Sequence, residues 1–168
     1  MTVRPVKTFF PKTRLAEMAA QLGGIARDEA IAGAKESVEL LREEGDTEIN
    51  RSIGAIEAIV AGSDRRSLQE ADMRKILQLA DQIVTLAGTF GYTALDKVMR
   101  SLCDVTDGLL QARLTDAAPI IVHVQSMRLM APGSTALSPQ QTAKVLGELA
   151  KILTHYNFCP LAAQNPSE

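Results

Sequence analysis

Apolar residues return every three or four positions along most of this chain, and no stretch alternates apolar with polar residues. That spacing lays a stripe along one side of a helix, whereas a strand needs a period of two. Ile49, Ile53, Ile56 and Val60 are the clearest case, and Leu95, Val98, Leu102, Val105 and Leu109 repeat it. The expectation is an all-α fold. Composition agrees: hydrophobic residues make up 46 % but aromatic ones only 4 %, with no Trp, so the core is built from aliphatic side chains, as in packed helices. A length of 168 residues predicts one domain.

Punctuation divides the pattern into helices. Residues 1–11 hold two prolines and no periodicity, which predicts a flexible arm whose Phe9-Phe10 pair docks on the body or on a second copy. A helix is expected from Lys12 to Leu22, stopped by Gly23-Gly24. The next runs from near Asp28 through Ile31, Val38 and Leu41 to Glu44, where Gly45 breaks or bends it. A third runs from Asp46 to Gly62. Ser67 and Glu70 have the spacing of a capping box opening a fourth, which Gly91 ends by taking a left-handed turn. Thr93 is placed to cap a fifth helix, with Asp96 in its first turn. Thr115 and Asp116 open a sixth, with Pro119 in its first turn, closed by Pro132-Gly133. Ser138-Pro139-Gln140-Gln141 is a second capping box for a last helix reaching about Tyr156, and 157–168 reads as a loose tail. The helical domain therefore spans 12–156, and its short connections favour antiparallel neighbours.

Several function classes lose support. A net charge of −2 offers no basic footprint for nucleic acid. No window approaches the roughly 20 apolar residues of a membrane span, and the N-terminus has no run suited to a signal peptide. Cys103 and Cys159 have no Cys or His at ligand spacing, which argues against zinc and reads as two reduced thiols in a cytoplasmic protein. Glycine-rich phosphate loops, serine elbows and helical His-Glu-x-x-His motifs are absent. Neither an enzyme nor a cofactor is expected.

The informative stretch is ADQIVTLAGTFGYTAL, residues 80–95. A helix runs into Gly88, Phe90 and Gly91 and restarts at once. Ala80-Asp81-Gln82-Ile83-Val84-Thr85-Leu86-Ala87, then Gly88-Thr89-Phe90-Gly91 and Tyr92-Thr93-Ala94-Leu95, resembles the second half of a histidine phosphotransfer (HPt) domain. Ser101-Leu102-Cys103 and Leu114-Thr115-Asp116-Ala117-Ala118 continue the likeness, which covers about 46–130. Residues around Leu79-Ala80-Asp81, Leu86 to Gly91, Ser101 to Asp104 and His123-Val124-Gln125 are also similar to CheE-type chemotaxis-operon proteins. The HPt resemblance implies an antiparallel four-helix bundle, here with additional N-terminal and C-terminal helices.

The likeness fails at the reactive position. Asp81 stands where the family carries its phosphate-accepting histidine, Val84 at the lysine position, and Thr85 at the glycine that lets a receiver approach. A neutral imidazole is a good nucleophile near neutral pH; a lone aspartate lacks that chemistry. What the resemblance still implies is a surface. Arg74, Gln78, Asp81, Gln82 and Thr85 share one side of the helix, and Ile76, Ala80, Ile83 and Ala87 share the other. The expected function is a pseudo-HPt adaptor in two-component or chemotaxis signalling, binding a response-regulator receiver or a histidine kinase without carrying phosphate.

Two alternatives stay open. One is active phosphotransfer through His123, expected at the border of the stripe formed by Ile120, Ile121, Val124 and Met127. The other is a helical oligomerisation protein with no receiver partner. Extra amphipathic helices must bury their stripes on the bundle or on a second chain, and Met18, Leu22, Leu40 and Leu41 are the expected contacts of a homodimer. His155 reads as a structural residue near a helix end. Asp104 and Asp107, the Glu43, Glu44 and Asp46 turn, and Arg65-Arg66 read as solvated surface.

Overall fold

In the computed structural model, residues 24–158 are described, except Arg65. Among them are six helices and no strand: α1 (Arg27–Leu40), α2 (Arg42–Gly62), α3 (Glu70–Phe90), α4 (Thr93–Ala112), α5 (Ala118–Leu129) and α6 (Pro139–Tyr156). The 1–11 arm, the expected helix at 12–22, Cys159 and the tail from 159 lie outside the described residues. No described helix is long and apolar enough to cross a membrane.

By its internal contacts the chain divides into residues 1–37 and 38–168. The described part of the first unit is chiefly the start of α1. Every residue of that segment is exposed, and Ser37 Oγ donates to Gly33 O at 2.9 Å within it.

In the second unit, α2 packs on α3, α3 on α4, α4 on α5, and α5 returns to α2, so the four close a circuit. Helix α6 lies against α4 and α5. The stripes legible in the sequence point inward: Ile49, Ile53 and Ile56 of α2, and Leu95, Val98, Leu102, Val105 and Leu109 of α4, are fully buried. Each such side chain contributes about 1.5–3 kcal/mol of burial.

Several boundaries differ from the sequence expectation. The break between α1 and α2 falls at Leu41, not at Gly45. Gly45 sits in the first turn of α2 and is buried, because the Phe90 ring lies against its bare Cα; a Cβ there would overlap the ring. Glu43, Glu44 and Asp46 are helical rather than a turn, and Asp46 is half-buried. The Ser67 capping box does not form. Ser67 N–H instead pairs with Asp64 O at 3.0 Å, and Leu68 N–H donates to Thr115 O at 2.8 Å. This extended pairing brings Leu68 fully into the core and delays α3 to Glu70. Thr93 is the first residue of α4 and makes no cap; Tyr92 precedes it. By contrast, Gly91 closes α3 in the left-handed conformation (φ 78°), and the Ser138–Gln141 capping box opens α6 with both bonds made.

Candidate partner-binding face

Helix α3 is the element on which the proposed face would sit. Ile76, Ala80, Ile83 and Ala87, spaced four, three and four apart, are all fully buried, which sets the helix's rotation. The register then puts Arg74, Gln78, Asp81, Gln82 and Thr85 outside, and all five are exposed. At the far end Gly91 N–H and Tyr92 N–H both return to Ala87 O, so the helix stops one turn beyond this strip.

The strip is partly self-engaged. Arg74 pairs with Glu70 at 2.7 Å, with both side chains 68 % exposed, so the pair contributes little to stability. Lys75 Nζ donates to Gln78 Oε1 at 3.2 Å. The hydroxyls of Thr85 and Thr89 donate one turn back to Asp81 O and Thr85 O, at 3.1 and 2.9 Å. The Asp81 carboxylate itself makes no hydrogen bond or ion pair among the described residues.

Arg74, Gln78 and Asp81 line an open depression of about 480 Å³ together with Leu77 and Cys103. Gln82 and Thr85 lie on the same exposed strip but do not line it. Leu77 and Cys103 were not expected at this surface. Leu77 follows the buried Ile76 at the edge of the stripe and is half-buried. Cys103 follows the buried Leu102 on α4, and a residue next to a stripe falls at its edge, which is the signal that would have found it. Burial pushes the Cys103 thiol up to about 12, with the negative charges of Asp81 and Asp104 adding to the effect. It therefore stays protonated and is a poor nucleophile.

His123 is not at the border of its stripe. It is fully buried between α5 and α4, with Nδ1 2.7 Å from Pro119 O and Nε2 2.9 Å from Ser101 Oγ. The carbonyl can only accept, so Nδ1 carries the proton and Nε2 accepts from the Ser101 hydroxyl. Desolvation holds its pKa below the ordinary histidine value, with the bond to Pro119 opposing. A phosphoacceptor has to meet an incoming phosphoryl group, and this ring has both nitrogens engaged inside the core. His155, in the last turn of α6, is exposed and stands edge-on to the Tyr156 ring at 5.3 Å.

Asp104 and Asp107 are half-buried, and Asp107 accepts from Gln111 Nε2 at 2.6 Å. Among the described residues no group of three His, Cys, Asp or Glu side chains is arranged to hold a metal ion. No protein-family model matches this chain, and a search of curated proteins finds no match either.

Proposed function

We propose that this protein is a non-catalytic, HPt-like adaptor. It binds a response-regulator receiver or a histidine kinase through the α3 face of Arg74, Gln78, Asp81, Gln82 and Thr85, and carries no phosphate. The observation that carries this reading is Asp81: exposed, unpaired, and central in a polar strip whose opposite side is wholly buried. The closed circuit of α2 to α5 supports an HPt-like four-helix bundle as its frame, with α6 as the additional C-terminal helix. An aspartate at that position offers a fixed negative charge and hydrogen-bond acceptors without a nucleophilic nitrogen. On this reading the compartment is the cytoplasm.

The test is a pull-down from the source organism's lysate with wild type and Asp81→Arg, followed by titration of each captured receiver or kinase domain against both forms. Reversing a central interface charge should weaken binding on the order of tenfold or more. Retention of no receiver or kinase domain by either form overturns the reading.

A second reading, an oligomerisation protein, rests on α1. None of its residues is buried; Ile31 is 41 % and Leu40 79 % exposed, and Leu41 just beyond it 54 %. A lone helix of about 14 residues is marginal in water, so an apolar edge of this kind calls for a cover. Light scattering that finds only an 18.1 kDa species rejects a homodimer.

A further inference from the structure

The contact between α4 and α5 carries an arrangement that the adaptor reading does not use. Ser101 Oγ lies 2.9 Å from His123 Nε2, and Pro119 O holds the other ring nitrogen at 2.7 Å. A hydroxyl, an acceptor nitrogen and a third group that fixes the imidazole's tautomer are the parts of an activated nucleophile. The burial of the two partners differs. His123 is fully buried, while Ser101 is partly exposed. Lys97 stands one turn earlier on α4, on the side that Ser101 occupies. It is exposed and makes no hydrogen bond or ion pair among the described residues.

We propose that Ser101 is a covalent modification site, taking one acyl group from a small activated ester with His123 as general base. The Ser101 proton passes to His123 Nε2 as the bond from Oγ to the acyl carbon forms. The bond from that carbon to the leaving oxygen breaks, and the leaving group keeps the electron pair. The leaving group departs as its oxyanion, and the proton on His123 is released to water, which restores the neutral ring and leaves an ester on Ser101. The Lys97 ammonium opposes the negative charge that develops on the acyl oxygen. Burial disfavours a lasting imidazolium, so the base form stands ready at neutral pH and the transferred proton is not retained.

The probe is p-nitrophenyl acetate on the full chain, read by released nitrophenolate and by peptide mapping. One acetyl group is expected on Ser101, removed by hydroxylamine as an ester is, and absent in Ser101→Ala. The rate of Ser101 labelling should be flat above about pH 6.5, where the histidine is neutral. His123→Asn, checked for retained helicity, should slow it on the order of a hundredfold. Labelling confined to lysines and the N-terminus overturns the proposal. So does Ser101 labelling that climbs in proportion to hydroxide across neutral pH, the behaviour of an unassisted hydroxyl. The pH profile uses wild type alone and decides the matter if His123→Asn does not fold.

Discussion

The Phe90 ring rests on the bare backbone of Gly45, joining the first turn of α2 to the last residue of α3. Arg42 lies over the same junction. Its guanidinium donates to Phe90 O at 3.1 Å and stands 5.7 Å from the Phe90 ring centroid. Gly45 is therefore required for close approach rather than for a turn. Gly45→Ala should destabilise the protein: overpacking costs about 1–3 kcal/mol, against about 1 kcal/mol regained in helix propensity. Gly88, also helical, has open space where its Cβ would be. Gly88→Ala should stabilise by about 0.5–1 kcal/mol. Urea unfolding of the two variants should give midpoints displaced in opposite directions.

Tyr92 ties the restart of the chain at α4 back to α2. Its hydroxyl donates to Asp46 Oδ1 at 2.6 Å, while burial and that carboxylate both raise its pKa. Tyr92→Phe keeps the ring beneath Arg42 and removes this bond together with the longer one, 3.4 Å, that the hydroxyl accepts from Arg42 Nη1. It should cost about 1–2 kcal/mol, more than an average neutral bond because the acceptor is charged. Thermal unfolding at pH 7 checks it.

The buried His123 makes stability depend on pH in a defined direction. Its folded pKa lies below the unfolded value, so in the interval between them the unfolded chain holds a proton that the native chain does not. Stability from this residue is whole above about pH 6.5 and is lost as pH falls from there through the lower folded pKa. Urea midpoints taken from pH 7.5 downward should decline before the carboxylates begin to titrate, and His123→Gln should flatten that decline. A midpoint that holds constant between pH 7 and the carboxylate range would contradict it.

Asp81→Arg should leave the fold alone. The side chain is exposed and unpaired, and surface changes of this kind fall within about 0.5 kcal/mol. Circular dichroism and the unfolding midpoint should match wild type. Any loss of partner binding in the variant is then attributable to the face and not to unfolding.

The helical class, the buried stripes of α2, α3 and α4, the Gly91 stop and the Ser138–Gln141 box were legible because each follows from local rules. Spacing sets which side of a helix is apolar, and a cap involves residues three apart. The α3 strip was legible for the same reason: burying Ile76, Ala80, Ile83 and Ala87 leaves Asp81 no direction but outward. Ser67 shows where such rules yield. The chain prefers to pair Leu68 N–H with Thr115 O and bury Leu68, and that tertiary bond overrides a local capping signal.

The sequence by itself thus determined the helical class and which side of α3 meets solvent, since both depend on neighbours within one or two turns. Only the tertiary structure decided that Gly45 is a seat for Phe90, that Cys103 joins Arg74, Gln78 and Asp81 around one depression, and that His123 faces Ser101 inside the core. Those relations join different helices, and the apolar period of one helix carries no record of which side chain of another will fill the space beside it.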